Sequence, residues 1–187
     1  MSNKIFDKRI ELSRVLLRRL KIEDVDDMFE YTSNPEATTH LHWEPHKEKG
    51  LAKSYIETVI RNCEGSDIEY TYGIELKSEK KLIGVVRVIN ISFYNKRAEY
   101  TAILNPKYQR NGYMTEVFDG FLKFCFNEAG LNRIQGLISV DNLPSQKLVI
   151  RSGWHYEGTL KDYWFIKGEY KDAKLFAITA AEFTYKR

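Results

Sequence analysis

The apolar residues of the first third of the chain follow first a strand pattern and then helical spacing. The leucine- and valine-rich stretch 12–20 predicts a strand. Acidic residues then accompany Val25, Met28 and Phe29, whose spacing and acidic first turn predict a helix. Beyond a predicted loop at 33–35, a second helix is indicated by apolar and aromatic residues at helical spacing: Ala52, Tyr55, Ile56, Val59 and Ile60.

In the middle of the chain the apolar period changes to two. Tyr70, Tyr72, Ile74 and Leu76 alternate with smaller or polar residues, as a half-buried strand requires. Polar turns then separate this strand from two further β segments. The three segments, 69–76, 82–91 and 97–104, predict an antiparallel meander that ends before Pro106.

The last third predicts alternating helices and strands. A long helix from about 115 to 129 carries Phe118, Phe121 and Leu122 on its apolar face and ends at Gly130. A strand at 133–140, a helix at 144–152, and strands at 156–166 and 173–184 around a turn at 167–170 follow. We therefore expect one domain over residues 1–187, of mixed α/β or α+β class, without internal repeats.

Composition narrows the class of protein. A chain of 187 residues has the usual length of one domain, and 43% hydrophobic residues with charges of both signs are typical of an ordered globular protein. The net charge of +3 is small, and lysines and arginines are scattered, so we expect no nucleic-acid partner.

Cysteine usage and the N-terminal segment indicate a cytoplasmic location. Cys63 and Cys125 are far apart, without metal or redox spacing, and Cys125 lies on an apolar helix face that favours a core role. Residues 1–8 carry charge where a secretory signal needs an apolar core, and no apolar run is long enough to span a bilayer. The sequence thus predicts a soluble, cytoplasmic protein without a membrane partner.

The segment 104–116 is the most informative chemically. It joins a predicted strand to a predicted helix through a polar loop with one glycine, Gly112. Backbone N–H groups at a helix N-terminus suit a pyrophosphate, and a glycine lets the backbone approach it closely. Taken alone, however, a glycine before a helix is also typical of an ordinary turn.

The order of further motifs adds a family resemblance. Gln109, Gly112 and Met114 are similar to the Gln/Arg-x-x-Gly-x-Gly/Ala acetyl-CoA loop of the Gcn5-related N-acetyltransferase (GNAT) superfamily, with Met114 where the family has a small residue. The resemblance continues, in the family's order, through Thr115-Glu116, Asn142-x-x-Ser145 and Gly153-Trp154; Ser13 to Arg18 resembles the first-strand signature of the RimJ/RimL branch. It implies the GNAT fold, a central mixed, mostly antiparallel twisted sheet flanked by helices.

The resemblance implies acetyl-CoA as co-substrate and no metal. It places a carbonyl-polarising backbone N–H near Ile103, Leu104 or Asn105, a pantetheine contact at Asn142, and a donor to the CoA sulfur at Ser145. The alternative for Ser145 is a helix-start serine that bonds backbone amides. The full set of expected cofactor contacts is Ile103, Leu104, Asn105, Gln109, Arg110, Asn111, Gly112, Tyr113, Met114, Thr115, Asn142 and Ser145.

The implied reaction is acetyl transfer to a primary amine by direct attack in a ternary complex. Because an α-amino group has a pKa of about 8 and a lysine about 10, the amine must lose a proton before it attacks. We assign Glu99 as the general base, since relatives often carry a carboxylate at the start of this strand. The alternative is a solvated surface glutamate. The expected catalytic residues are thus Glu99 and Ser145.

The acceptor site is expected where relatives place the amine entrance, between the first two helices. Candidate contacts there and on a late strand are Trp43, Glu44, His46, Tyr163 and Trp164. The alternatives are a surface loop for the first three residues and a core position for the two aromatics. The spacing of His40, His42 and His46 has no further ligand cluster and does not predict a metal site.

The resemblance favours a protein N-terminal amine as acceptor, for example on a ribosomal protein. A polyamine or an aminoglycoside-like antibiotic is the alternative, and carboxylates such as Glu44, Glu157 and Asp162 would attract it. A tight, acid-lined pocket would favour the small amine, and an open groove would favour a peptide. A module that binds acyl-CoA without turnover is a third reading. The resemblance is compatible with a monomer or a homodimer.

Overall fold

One eight-stranded sheet organises the protein, and a computed structural model describes residues 3–64, 66 and 68–184 of the chain. Met1 and Ser2, which begin the charged N-terminal segment, lie outside the described residues. The strands are β1 (Ile10–Glu11), β2 (Val15–Arg18), β3 (Tyr70–Leu76), β4 (Lys81–Ser92), β5 (Arg97–Leu104), β6 (Arg133–Ser139), β7 (His155–Ile166) and β8 (Glu169–Thr179). The α-helices are α1 (Val25–Thr32), α2 (Pro35–Thr38), α3 (Lys49–Cys63), α4 (Tyr113–Asn127), α5 (Leu143–Arg151) and α6 (Ala180–Thr184).

The sheet is mixed and mostly antiparallel, as the sequence predicted. The strand order is β1-β2-β3-β4-β5-β6-β8-β7. The predicted meander of β3, β4 and β5 is confirmed by antiparallel pairing, with one register shift between β3 and β4 and one between β4 and β5. Only β5 and β6 run parallel, because α4 carries the chain back across the sheet between them. This parallel pair lies at the centre of the sheet.

Helices cover both faces of the sheet. On one face the ring of Tyr100 packs against Phe118 and Phe121 of α4, at centroid distances of 4.6 and 5.5 Å. On the other face α1 and α3 pack together; burial raises the pKa of Tyr55 in α3, and the guanidinium of Arg87 in β4 opposes that rise. The site described below lies along β5, between these two layers of helices.

Two predictions for the first third were wrong in detail. The predicted strand 12–20 is two short strands, because the N–H of Leu12 donates to the carbonyl of Val15 and turns the chain between them. The predicted loop at 33–35 leads directly into the short helix α2. The Asn34 side chain accepts from the N–H of Glu36, and Pro35 occupies the first helical position.

The C-terminal prediction needs a similar correction. The predicted strand 173–184 ends at Thr179, because Glu182 accepts from both the N–H and the hydroxyl of Thr179 and starts α6. The same strand begins early, at Glu169. Lys167 and Gly168 both have positive φ, 51° and 85°, and form a two-residue hairpin turn between β7 and β8.

Within the described residues, no helix is long and apolar enough to cross a membrane. Both cysteines are buried, and burial raises the pKa of Cys125 well above its usual value. A thiol in that state is a poor nucleophile at neutral pH. Cys125 is therefore a core residue of α4.

Candidate active site

A wedge opens in the centre of the sheet between β5 and β6. The two strands share three paired positions, Arg97 with Arg133, Ala98 with Ile134, and Glu99 with Gln135. Beyond these pairs, the described residues of β5 and β6 have no further mutual pairs, although both strands continue, to Leu104 and Ser139 respectively. The strands therefore diverge, and each leaves one backbone edge without a strand partner. Helices α4 and α5 follow these strands and begin at the wide end of the wedge.

Backbone direction decides which groups of β5 face the wedge. The N–H of Asn105 donates to the carbonyl of Ile83 at 2.8 Å, on the β4 side. The backbone N–H and C=O groups of successive residues point to opposite edges of a strand. The N–H of Ile103 therefore also faces β4, whereas the N–H groups of Ala102 and Leu104 face the wedge. The Leu104 carbonyl accepts from Gln109 Nε2 at 3.3 Å on that side. Of the three N–H groups expected to polarise the carbonyl, only that of Leu104 faces the wedge; the N–H of Ala102, which sequence reasoning did not name, faces it as well.

Asn105 has a structural role instead of the predicted cofactor contact. Its side chain is buried, accepts from the N–H of Lys107 at 3.1 Å and donates to Glu30 Oε1 at 3.2 Å. Glu30 also pairs with the ammonium groups of Lys81 and Lys107. Hydrogen bonding by Lys81 is the main cause that lowers the pKa of Glu30 to about 2. This cluster fixes the end of β5 against α1.

The predicted loop presents the N-terminus of α4 without a side-chain cap. Gly112 is the N-cap residue, with φ of 78°, and Arg110 before it has φ of 63°. Within the described residues, no side chain accepts from the first-turn N–H groups at this N-cap. The N–H groups of Tyr113, Met114 and Thr115 and the positive end of the helix dipole are thus open to an anion.

Arg14 holds this loop in place. Its Nη1 donates to the carbonyl of Asn111 at 2.9 Å, and its Nε donates to Glu116 Oε2 at 2.7 Å. Its guanidinium also lies over the Tyr113 ring, 4.6 Å from the centroid. Burial acts to raise the pKa of Glu116, but hydrogen bonds from Arg14 outweigh burial and lower it. Sequence reasoning missed this role, because Arg14 lies about a hundred positions before the loop.

Two of the predicted loop contacts use their side chains internally. The Asn111 amide donates to the carbonyl of Gln109 at 3.1 Å and so stabilises the loop. The sulfur of Met114 accepts from the Tyr100 hydroxyl at 3.7 Å, and its side chain packs against the core. The larger residue is therefore accommodated beneath the start of α4, and its backbone N–H remains at the helix N-terminus.

The start of α5 separates the roles of Asn142 and Ser145. Asn142 Oδ1 accepts from the N–H of Ser145 at 3.2 Å and caps the helix. The Ser145 hydroxyl is half-buried and makes no hydrogen bond to any part of the chain that the structure describes. The capping role considered for Ser145 thus belongs to Asn142, and the serine hydroxyl is available to a ligand.

Glu99 lies at the closed end of the wedge, in its last paired position. Its Oε2 accepts from Asn90 Nδ2 at 3.4 Å. It contributes to an open cavity of about 450 Å³. The cavity is lined by Ile68, Asn90, Ile91, Arg97, Ala98, Glu99 and Gln135. Among the lining residues that the structure describes, Glu99 is the one carboxylate and Arg97 the one cationic side chain.

The structure brings the predicted acceptor segments together. The rings of His42 and Trp164 meet edge to face at 5.5 Å. Lys167 Nζ donates to the carbonyl of Thr38 at 3.2 Å and lies 3.7 Å from Glu44 Oε2. The end of β7 is thereby attached to the segment between α2 and α3, and His42, for which the sequence favoured a loop or substrate-facing position, takes part in this attachment.

The remaining acceptor candidates have local roles. The rings of Trp43 and His46 stack at 4.8 Å, and the rings of Tyr163 and Trp164 meet at 5.5 Å. Burial lowers the pKa of His46, whose Nδ1 is buried without a hydrogen-bond partner in the described chain. None of the five predicted acceptor residues, Trp43, Glu44, His46, Tyr163 and Trp164, lines the Glu99 cavity.

The carboxylates considered for a polyamine do not converge. Glu157 forms a two-point ion pair with Arg133, at 2.7 and 2.5 Å, and hydrogen bonding from Arg133 lowers the pKa of Glu157. Glu44 lies beside Lys167, and Asp162 is exposed at an irregular position of β7. None of the three lines the Glu99 cavity. Among the described residues, no cluster of three or more His, Cys, Asp or Glu side chains is arranged to hold a metal ion.

Sequence comparison finds a family profile and related proteins that match this chain. The profile of the acetyltransferase (GNAT) domain family matches residues 14–155. The uncharacterized N-acetyltransferase YoaA of Bacillus subtilis is 28% identical over 90% of this chain and 95% of its own length. Spermidine N(1)-acetyltransferase of Vibrio cholerae is 26% identical over 91% of this chain and 96% of its own length. The [ribosomal protein uS5]-alanine N-acetyltransferase of Escherichia coli is 29% identical over 62% of this chain and 60% of its own length.

Solved structures of similar fold are also found. A GNAT-family acetyltransferase from Bacillus anthracis has a TM-score of 0.82 and 24% identity, covering 94% of this chain and all of that one. The Vibrio cholerae spermidine N-acetyltransferase, solved with CoA and spermine, has a TM-score of 0.76 and 24% identity, covering 91% of this chain and 98% of that one. The uncapped helix N-terminus and the unpaired edges of the wedge fit the pyrophosphate and amide groups of CoA. The chain therefore belongs to the GNAT family and is an acetyl-CoA-dependent N-acetyltransferase.

Proposed function

We propose that this acetyltransferase acts on the α-amino group of a protein or peptide N-terminus, with Glu99 as general base. The observation that supports this most directly is the Glu99 cavity at the closed end of the wedge. It offers one carboxylate to one amine, and it is open to the protein surface. Relatives include both a spermidine and a ribosomal-protein acetyltransferase, so the acceptor is argued from this chain's own residues.

The cofactor contacts follow from the wedge and from the two helices that begin at its wide end. The N–H groups of Ala102 and Leu104 would donate to amide or thioester carbonyls placed between the strands. The first-turn N–H groups of α4 would hold the pyrophosphate, with Gly112 allowing close approach. When bound, acetyl-CoA supplies an activated acetyl group as a thioester.

Glu99 would remove the proton that keeps the acceptor amine unreactive. At neutral pH most of an α-amino group or lysine is protonated, so a carboxylate at hydrogen-bond reach, directly or through one water, raises the reactive fraction. The proton passes from the amine nitrogen to the Glu99 carboxylate and then to solvent through the open cavity. Asn90, which donates to Glu99, would orient the carboxylate.

Ser145 would assist at the departing sulfur. Its hydroxyl has no partner in the described chain, while the N–H of the same residue is held by the Asn142 cap. A hydroxyl held at a helix start can stabilise a thiolate by donating a hydrogen bond to it as charge develops there. A module without turnover is not favoured, because both the carboxylate and the hydroxyl needed for chemistry are present.

A polyamine acceptor fits the structure less well. Spermidine carries several positive charges, and a site for it would be expected to present several carboxylates. The described lining of the cavity has one, which must also act as base, together with the cation Arg97. The other carboxylates considered, Glu44 and Glu157, lie beside Lys167 and Arg133.

The experiment is a comparison of acceptors. Purified protein and acetyl-CoA are incubated with one acceptor at a time, and the release of free CoA thiol is followed. The acceptors are peptides with a free N-terminus, the same peptides with a blocked N-terminus and a lysine, spermidine, and an aminoglycoside. We expect the fastest turnover with free N-termini and loss of that turnover on blocking. Faster turnover with spermidine than with every peptide would contradict the proposal.

A further inference from the structure

Two arginines face each other at the closed end of the wedge, and only one of them has a carboxylate partner among the described residues. Arg97 and Arg133 form the first paired position of β5 and β6, on the same sheet face as Glu99 and Gln135. Arg133 is held by both oxygens of Glu157. Arg97 is exposed and lines the Glu99 cavity. Among residues 3–64, 66 and 68–184, no carboxylate forms an ion pair with it.

The distance between Arg97 and Glu99 is set by the strand. Residues two apart on a strand point to the same face and lie about 7 Å apart. An amine beside Glu99 therefore has the Arg97 guanidinium within reach of a group a few bonds away. In an extended peptide, the side chain of the second residue lies at a comparable distance from the terminal nitrogen.

The chemistry of the Arg97 guanidinium indicates which substrate group it would bind. Arginine binds a carboxylate through two parallel hydrogen bonds and repels a second cation. The nearby charges on this face are otherwise balanced, since Arg87 pairs with Glu69 at 3.1 Å and Arg133 pairs with Glu157. Within the described part of the chain, Arg97 is therefore the cation on this face that remains available to a substrate.

We infer that Arg97 is a specificity-determining residue, which selects peptide N-termini that carry an acidic side chain at the second position. This inference rests on the proposed function, because it takes Glu99 as the base and a peptide as the acceptor. The acidic side chain would bind the guanidinium while the terminal amine lies beside Glu99. Basic side chains at the second position, and polyamines, would be disfavoured by the same charge.

The test uses three peptides that differ at one position. They begin Ser-Glu, Ser-Gln and Ser-Lys and are otherwise identical and uncharged. With the parent protein we expect kcat/KM for the Glu peptide to exceed that for the Gln peptide by about tenfold, the size typical of one charge-assisted pair. The preference should shrink as salt is added, because the pair is exposed.

Variants then separate Arg97 from general charge effects. In Arg97→Gln the Glu/Gln ratio should fall to about one, and in Arg97→Glu the Lys peptide should become the best of the three. Lys123→Gln removes the same charge from an exposed position of α4 and should keep the parent ratio. CoA affinity and circular dichroism of each variant report that the fold and the cofactor site are intact.

The outcomes distinguish this inference from the proposed function. Turnover of all three peptides with equal kcat/KM in the parent, or an unchanged ratio in Arg97→Gln, would overturn the selection by Arg97 and leave the acetylation of N-termini standing. Failure to acetylate any peptide, with spermidine acetylated instead, would overturn the proposed acceptor and this inference together. A ratio that also collapses in Lys123→Gln would assign the preference to net charge and overturn the role of Arg97.

Discussion

The proposed cofactor side and the proposed acceptor side of this site are built in different ways. On the cofactor side, the wedge and the start of α4 present backbone N–H groups from one short stretch, Ala102 to Thr115. On the acceptor side, side chains from separate elements meet, as when Asn90 of β4, Glu99 of β5 and Gln135 of β6 line one cavity. A site of backbone groups depends on local conformation, and a site of side chains depends on the whole fold.

This difference explains where the chain tolerates unusual residues. Met114 stands where related loops have a small residue, yet its side chain turns to Tyr100 and leaves the backbone N–H at the helix start. The cofactor side should thus be sensitive to backbone angles and insensitive to most side chains. The acceptor side should respond to the loss of a single functional group. Four variants test this contrast.

The largest effect is expected for Glu99→Gln. The change keeps size and one acceptor oxygen but removes the base, so kcat/KM near neutral pH should fall by about 100-fold or more. Raising the pH toward the pKa of the amine should recover part of the loss. The control Asp119→Asn, on the exposed side of α4, should keep the parent's rate. Parental rates at every pH would remove Glu99 from the mechanism, and a deficit independent of pH would make it a positioning residue.

Gly112→Val tests the backbone side of the contrast. A β-branched residue at φ of 78° is strained, and a cost of about 1–2 kcal/mol corresponds to roughly a tenfold loss of CoA affinity if the loop shifts. Gly168→Val is the matched control, because that turn also has positive φ, 85°, and lies away from the loop. Calorimetry should show weaker CoA binding only for the first variant. Equal CoA affinity in a folded Gly112→Val would refute the loop assignment.

Ser145→Ala should have a smaller effect, confined to turnover. Loss of a donor to the departing sulfur should lower kcat by about tenfold with little change in KM. Because the hydroxyl has no partner in the described chain, the melting temperature should not fall. Asn142→Ala is the comparison, since loss of that cap costs about 1 kcal/mol of stability. A Ser145→Ala protein with parental kcat would limit Ser145 to a structural position.

The smallest expected effect concerns Glu30, whose cluster fixes the end of β5 against α1. Hydrogen bonding by Lys81 is the main cause that lowers its pKa to about 2, from a value of 4.5 in the unfolded chain. Ionised Glu30 therefore stabilises the folded protein above pH 4.5, and this stabilisation is lost as pH falls toward 2. Urea unfolding at pH 5 and at pH 3 should show a smaller difference in Glu30→Gln than in the parent. An identical pH dependence in both proteins would show that the cluster with Asn105 does not stabilise the fold.

Sequence patterns predicted most elements and the meander of β3, β4 and β5, but not the place where paired strands separate. The bounds of β5 were predicted correctly, because a period of two ends at a proline after the strand. Periodicity carries no information on where paired strands separate, so the wedge and the direction of the Ala102 N–H were not predicted. The loop was recognised from Gln109 and Gly112, which are local, whereas Arg14 and His42 act through residues about a hundred positions away.

The acceptor side shows the same limit. The segments that carry Trp43, Glu44 and Trp164 are neighbours, but the cavity beside Glu99 is lined by Asn90, Gln135 and other residues that no motif marks. Cavities form where elements fail to fill space, and a one-dimensional pattern does not record that. Whether these residues bind an acceptor stays a prediction.

The wedge also changes which part of the sheet is most open to solvent exchange. Central strands usually protect their amides best, because both neighbours bond to them. Here Ala102 and Leu104 lie on the fifth of eight strands, yet their N–H groups face a gap. Their amide protons should exchange with deuterium at the pace of an outer strand in the free protein and slow when CoA fills the gap. In this fold the middle of the sheet behaves as an edge, and the ligand takes the position of a missing strand.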